Sequence, residues 1–92
     1  MSDNLPRLDE DHQARIEAFL DGLWMEFGLS ENTLASYGAD LRGFARWLQK
    51  REARLESAGE ADIQQYLAHR LSAGARPRTS ARLLSTIKRF YQ

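Results

Sequence analysis

The chain of 92 residues contains no cysteine and only two prolines, and no apolar run approaches the ~20 residues that a membrane-spanning helix needs. Without cysteine there is no disulfide, no thiolate catalysis and no zinc site built on sulfur. Residues 1–8 lack the basic start and the apolar core of a secretion signal. These absences predict an intracellular protein without a membrane anchor.

Motifs for catalysis are also missing. The sequence has no glycine-rich phosphate loop, no His-Glu-x-x-His and no Gly-x-Ser-x-Gly. We interpret His12 and His69 as surface residues rather than metal ligands, and Tyr37 and Tyr66 as core residues with a polar tip. We therefore expect no metal, no cofactor, no small-molecule substrate and no enzymatic activity in these residues.

What the chain does have is an uneven distribution of charge. The formal net charge is zero, but residues 1–41 contain two arginines against nine acidic residues, a balance of −7. Residues 42–92 contain eleven basic residues against four acidic ones, a balance of +7. This asymmetry indicates a polyanionic partner, provided that the basic residues share a face of the fold.

Apolar residues recur with helical spacing along the whole chain, and no segment has a convincing strand pattern. Four helices are predicted: Asp9 to Gly28, Ser30 to about Lys50 or Arg51, the Ser57–Glu60 capping box to Gly74, and Pro77 onward. A polar link over 52–58 joins the second helix to the third. The short connections predict an all-α fold, a compact four-helix orthogonal bundle over 10–92 that is preceded by a flexible N-terminus, 1–9.

Each predicted helix carries an apolar stripe that we assign to one core. The stripes comprise Ile16, Phe19, Leu20, Leu23, Phe27; Leu34, Tyr37, Leu41, Phe44, Ala45, Leu48; Ile63, Tyr66, Leu67, Leu71; and Leu83, Leu84, Ile87, Phe90, Tyr91. Trp24 and Trp47 lie at the edges of their stripes and are predicted to seal the core. The last stripe runs to the final residues without a capping residue, so we expect the chain to be part of a longer protein.

The second helix has an unusual outer face. Its members are small or cationic: Asn32, Ala35, Ser36, Ala39, Arg42, Gly43 and Arg46. Short side chains let a backbone come close to a partner, so one interpretation is a helix docked against a phosphate-rich surface. The alternative is an ordinary solvent face that has drifted toward alanine and glycine.

The fourth helix has a basic face of its own. Arg78, Arg82, Ser85 and Arg89 fall within roughly a 60° arc, and Lys88 and Arg76 flank them. No acidic residue occurs from 76 onward, so we expect nothing nearby to neutralise the row. The alternative is a cationic surface without a partner. The candidate DNA-binding residues of the two helices are Asn32, Thr33, Ser36, Arg42, Arg46, Arg76, Arg78, Thr79, Ser80, Arg82, Ser85, Lys88 and Arg89.

Three stretches of the sequence are similar to a known family. These are Phe19-Leu20-Asp21-Gly22-Leu23-Trp24, then Gly28 to Leu34 with Tyr37, Asp40-Leu41, Phe44 and Trp47-Leu48, and later Thr79 to Ser85. They resemble the SAM-like core-binding domain at the N-terminus of tyrosine recombinases, also called phage integrases. The resemblance covers residues ~10 to 92.

This resemblance implies a four-helix domain that clamps one side of a recombination site on double-stranded DNA, with its second and fourth helices at the major groove. It also implies a second recombinase subunit in a tetramer on DNA, a location at the cytoplasmic nucleoid, and a separate catalytic domain with the nucleophilic tyrosine. Tyr91 is assigned to packing instead. Relatives commonly have a basic pair where this chain has Gly38-Ala39, so we expect fewer phosphate contacts from the second helix. The alternative function is an all-α interaction module that binds an acidic protein.

Overall fold

The computed structural model describes residues 7–92, which form four α-helices and no strand. The helices are α1 (Glu10–Phe27), α2 (Glu31–Lys50), α3 (Glu60–Ser72) and α4 (Pro77–Phe90), and a short 3₁₀ turn, Leu55–Ser57, lies between α2 and α3. The predicted all-α class with four helices is confirmed. No helix in this part of the chain combines the length and the apolar character that crossing a bilayer requires.

The predicted flexible segment 1–9 falls partly outside the described residues. Of the part that is described, Arg7 and Asp9 both contact Gln49 of α2. The Gln49 side chain donates to the Arg7 carbonyl at 2.8 Å and accepts from the Asp9 backbone N–H at 2.8 Å. The chain is therefore joined to the helical bundle before α1 begins.

Helix α2 packs against the other three helices and supplies the centre of the core. The core consists of Ile16, Leu41, Phe44, Ala45, Leu48, Leu55, Tyr66, Leu83 and Ile87, all buried. Burial of each large apolar side chain contributes about 1.5–3 kcal/mol. Trp47 packs against this core as predicted, with its ring 6.3 Å from that of Phe44. The spacing of apolar residues along α2 thus identified the face of this helix that is buried in the core.

Some residues assigned to the core are exposed instead. Trp24, Phe27 and Leu71 are 61%, 54% and 49% exposed, so the prediction was wrong for them, and Tyr91 is 38% exposed although its hydroxyl contacts the link after α2. Every residue over 24–28 and over 71–74 is exposed, which shows that α1 and α3 each extend past the core in their last turn. The apolar stripe continues to the end of each of these helices, but no neighbouring helix in the described part of the chain extends far enough to cover its last turn.

Three of the four helices start at the residues that the sequence predicted. Asp9 accepts from the Asp11 N–H at 2.8 Å and Ser30 from the Thr33 N–H at 3.2 Å, while Pro77 occupies the first turn of α4. The predicted Ser57–Glu60 capping box is wrong. Helix α3 begins after Gly59, whose N–H donates to Asp62 at 2.9 Å.

The link between α2 and α3 departs from the predicted polar stretch because Leu55 is fully buried. Its backbone N–H donates to Nε2 of His12 at 3.3 Å, and its carbonyl accepts from the Tyr91 hydroxyl at 2.6 Å. His12 is itself 0% exposed, so its assignment to the surface was wrong. Burial raises the pKa of Tyr91 to about 12, so the hydroxyl remains a donor above the ordinary pKa of 10 as well as at neutral pH.

Two glycines of α2 lie where neighbouring helices come close. A Cβ on Gly43 would stand 2.8 Å from the Tyr66 hydroxyl of α3, and one on Gly38 would stand 3.1 Å from Leu20 of α1. Gly43 was assigned to an exposed face and instead forms the contact with α3. Each of these two glycines costs about 1 kcal/mol in helix propensity relative to alanine. The tight packing on both sides of α2 explains why glycine occurs there.

Candidate nucleic-acid interface

A basic concavity lies on the surface between α2, α3 and α4. It consists of two adjoining depressions that share Gly43, Tyr66 and Arg70 in their lining. We call it the basic groove and define it by its four long cationic side chains: Arg46, Lys50, Arg70 and Arg82. Among the described residues that line it, Asp40 alone is acidic. Cations contributed by three different helices thus share one face.

Arg46, Lys50 and Arg70 have no acidic partner within the part of the chain that the structure describes, and the two arginines are the more enclosed of these cations. Both side chains are half-buried, and the Nε atom of each is buried without a hydrogen-bond partner in the described structure. A buried donor left unsatisfied costs about 1–3 kcal/mol, and more when the group is charged. Because the Nε atoms are closed to solvent, an anion from outside the chain would meet the terminal nitrogens of these two half-buried guanidinium groups.

Arg82 has a different environment. Its Nη2 donates to Oδ1 of Asp40 at 2.8 Å, and its Nε donates to Oδ2 at 3.1 Å. The Asp40 carboxylate is 8% exposed and also accepts from the buried hydroxyl of Thr86 at 3.1 Å. This contact raises the pKa of Arg82 above its ordinary value. The expectation that nothing neutralises the α4 row is wrong for Arg82, because its acidic partner comes from α2.

The start of α4 is exposed and cationic. Arg76 precedes the helix and Arg78 lies in its first turn, and both are exposed. The first turn contains no acidic residue, so the positive end of the helix dipole adds to their charge. Thr79 and Ser80 beside them are half-buried, and the Ser80 hydroxyl oxygen is buried without a partner. The structure thus favours the two arginines over Ser80 as contacts for a partner.

The second half of α4 faces another helix. Ser85, Lys88 and Arg89 line a depression between α1 and α4 rather than the basic groove. The Arg89 guanidinium lies over the exposed ring of Phe27, 4.9 Å from its centroid. The predicted α4 row is therefore divided between two surfaces.

The remaining candidates lie on α2. Asn32 is exposed, whereas Thr33 takes part in the helix cap, where its hydroxyl accepts from Ser30 at 3.0 Å. Ser36 is half-buried. Arg42 lies over Gly38, on the side of α2 that packs against α1, with its Nη1 3.0 Å from where a Cβ would stand. The structure does not bring these four together with the basic groove.

Sequence reasoning missed Arg70 and Lys50. Lys50 follows Arg46 by one turn on the same face of α2, so its position was visible in the helical spacing. Arg70 follows Tyr66 by one turn on α3, and it joins the groove only because Tyr66 packs on Gly43. That contact between two helices has no local signal in the sequence.

Comparison with known proteins relates the chain to one family. The family model described as phage integrase, N-terminal SAM-like domain, matches residues 16–92. Tyrosine recombinase XerD of Shewanella oneidensis is 51% identical over 76 residues, 83% of this chain and 25% of the relative. XerD of Pseudomonas putida is 44% identical over 88 residues, 96% and 28% of the two chains, and XerD of Proteus mirabilis is 43% identical over 83 residues, 90% and 26%. The chain spans about a quarter of the length of these curated relatives. No solved structure matches it.

Proposed function

The chain belongs to the phage integrase N-terminal SAM-like domain family, and from this premise we propose that it binds double-stranded DNA through the basic groove and the start of α4. The observation that carries the proposal is the charge of the groove, where four cations from three helices face one carboxylate. Arg78 and Arg76 extend the same charge at the beginning of α4. The DNA phosphates are the polyanion that such a surface fits.

The proposed contacts divide by chemistry. Arg46, Lys50, Arg70 and Arg78 are assigned to phosphates, since each has an unpaired or exposed cationic group. The small residue Ala39 lines the groove beside Asp40 and Arg82, where we propose that the edge of the duplex lies. Among the candidates outside the groove, Ser85, Lys88 and Arg89 would reach DNA only if the duplex also passed the α1 side of α4.

The wider role follows from the relatives. We propose that the parent protein is a XerD-like site-specific tyrosine recombinase, which acts through a covalent phosphotyrosyl-DNA intermediate and resolves chromosome dimers with a XerC-like subunit in a tetramer on DNA. These residues would clamp one side of the recombination site at the cytoplasmic nucleoid. The catalytic residues would come from elsewhere in the parent protein.

Fluorescence anisotropy of the 92-residue chain with a labelled duplex tests DNA binding. We expect log affinity to fall linearly with log salt between ~50 and ~200 mM, with a slope of about 0.9 for each phosphate contact. The double variant Arg15→Ala/Arg54→Ala is the matched control, because it removes two cations that already have acidic partners. Absence of DNA binding, together with retention of the chain by poly-glutamate, would support the alternative of an acidic protein partner instead.

A further inference from the structure

Arg82 is held by one edge of its guanidinium group. Nε and Nη2 both donate to the Asp40 carboxylate, at 3.1 and 2.8 Å. A guanidinium has five N–H donors, so three remain: both on Nη1 and the second on Nη2. One of them on each terminal nitrogen points outward from the end of the planar group, on a side chain that is 48% exposed.

The carboxylate that holds Arg82 is fixed in turn. Asp40 is 8% exposed and accepts from the hydroxyl of Thr86, which is fully buried on α4. Arg82 and Thr86 are one turn apart on α4, so the carboxylate connects α2 to α4 at two points. The orientation of the guanidinium is consequently set before any partner arrives, which lowers the entropy cost of binding.

Arg82 differs from the other arginines of the groove because an acidic side chain balances its charge. The Asp40 carboxylate largely cancels its positive charge, whereas Arg46 and Arg70 each keep a buried Nε without a partner. A neutralised arginine attracts a phosphate weakly, because that attraction is mostly Coulombic. It still offers directed N–H donors, which suit a neutral surface with acceptors at fixed positions.

The residues of α2 beside Arg82 are small. The lining of the groove beside it includes Ala39 and Gly43, which present almost no side chain. Gly43 has no room for a larger one, since a Cβ there would stand 2.8 Å from the Tyr66 hydroxyl. The outer end of Arg82 is therefore not screened by a long side chain from this part of α2.

We propose that Arg82 reads a guanine in the DNA major groove and that Asp40 is the positioning residue which orients it. Guanine presents O6 and N7 as a pair of acceptors there, and the two terminal nitrogens of an arginine match that pair. This assignment rests on the proposed DNA-binding function and adds base selection to it. It replaces the expectation that Arg82 contacts a phosphate.

Selection from a pool of duplexes with a randomised centre tests the reading. The wild-type chain should enrich a guanine at one position, with a preference of about 5-fold to 100-fold over other base pairs. Arg82→Lys should lose that preference, because an ammonium keeps a positive charge beside Asp40 but lacks the planar pair of donors. A thermal melt of Arg82→Lys serves as the folding control. The slope of log affinity against log salt for this variant should match that of wild type.

Replacement of the selected guanine by 7-deazaguanine sharpens the test. This base keeps O6 and its pairing but has no N7 acceptor. Wild type should bind the modified duplex several-fold more weakly than the natural one, while Arg82→Lys should bind the two equally. Equal losses for both proteins would overturn the assignment, since the loss would then not involve Arg82.

Asp40→Asn tests the positioning role. Asparagine keeps the shape of the side chain but removes its charge, which frees Arg82 to move and to contact phosphates. We expect the guanine preference to fall while affinity for an unselected duplex rises or stays unchanged. A residue that only stabilised the fold would lower binding to all duplexes alike.

The two proposals fail in different ways. If wild type binds no duplex at low salt, both the proposed function and this inference are wrong. If wild type binds duplexes with the expected dependence on salt but enriches no guanine, or if Arg82→Lys keeps the guanine preference, only the inference is wrong.

Discussion

Arg54 and Arg46 lie only eight positions apart in the chain, yet their surroundings are opposite. Arg54 donates to Asp9, Asp11 and Glu56 at 3.2–3.4 Å, and Arg15 pairs with two of the same acids. Arg46 lies in the basic groove with its Nε buried and unpartnered. We call the first group the Arg54 cluster; it contains two arginines and three acids, whereas the groove contains four cations and one acid.

The two groups of arginines have different roles. Pairing within the Arg54 cluster joins the start of α1 to the link after α2, so its charges act on the fold itself. Like charges that share a surface repel one another, and the phosphates of the proposed DNA partner would supply the missing anions of the groove. Changes in the cluster region should therefore affect stability, and changes in the groove should affect binding.

The largest expected effect is on DNA binding. In the triple variant Arg46→Ala/Arg70→Ala/Arg78→Ala, up to three phosphate contacts are lost, so the slope of log affinity against log salt should fall by up to ~2.7. The melting temperature should stay the same or rise, because repulsion in the groove is relieved. Anisotropy titrations and a thermal melt measure the two quantities. A slope equal to that of wild type would show that these three arginines do not contact phosphates.

The next effect is on folding and involves the other region. His12→Ala removes a fully buried ring and leaves the Leu55 N–H without its acceptor, so we expect the free energy of unfolding to fall by about 2–4 kcal/mol. Urea denaturation measures this change. His69→Ala, at an exposed position, should change stability by less than about 0.5 kcal/mol. If the folded fraction of His12→Ala bound DNA more weakly, the separation of the two regions would be wrong.

A smaller and opposite effect is expected at Glu52. This residue follows α2 with φ of 60°, a left-handed conformation that favours glycine. Glu52→Gly should raise the free energy of unfolding by about 1 kcal/mol without changing affinity for DNA. Glu52→Ala is the control, since it removes the same charge but keeps the backbone strain. Equal gains for both variants would assign the effect to charge.

The smallest effect concerns pH. Hydrogen bonds from Arg54 and Arg15 lower the pKa of Asp9 and Asp11 below the ordinary 3.8, and the pKa of Glu56 is below its ordinary 4.5, chiefly through a backbone hydrogen bond. Because these folded-state values are depressed, their stabilisation is present above the ordinary values and is lost as pH falls through the folded ones. The melting temperatures of wild type and Arg54→Met should therefore differ slightly at pH 7 and converge below about pH 4. A gap that widened in acid would contradict this sign.

Local signals predicted most of the fold. Asp9, Ser30 and Pro77 mark helix starts because a cap acts within one turn of the residue that supplies it. The spacing of Leu41, Phe44 and Leu48 likewise identifies the buried face of α2. The local signal was misread at Ser57, which lies in the 3₁₀ turn Leu55–Ser57, while α3 begins only after Gly59.

The site was predicted only in part, because its geometry depends on pairs that are distant in sequence. Arg82 and Asp40 are 42 positions apart, and a helical wheel drawn for α4 alone shows Arg82 as one more free cation. The contact between Gly43 and Tyr66 also joins residues that are distant in sequence. It places α3 against α2 and so adds Arg70 to the groove. The spacing of residues along one helix shows which face of the helix a residue lies on, but not which residue of another helix it contacts.

Leu55 connects parts of the chain that are far apart in sequence. Its N–H is held by the first helix, 43 positions earlier, and its carbonyl by a tyrosine 36 positions later. Contacts of such span form only when most of the chain has already been brought together. The amide hydrogen of Leu55 should accordingly exchange with solvent no faster than the whole domain unfolds, although it lies outside every α-helix. The link between α2 and α3 thus reports on global unfolding rather than on local opening.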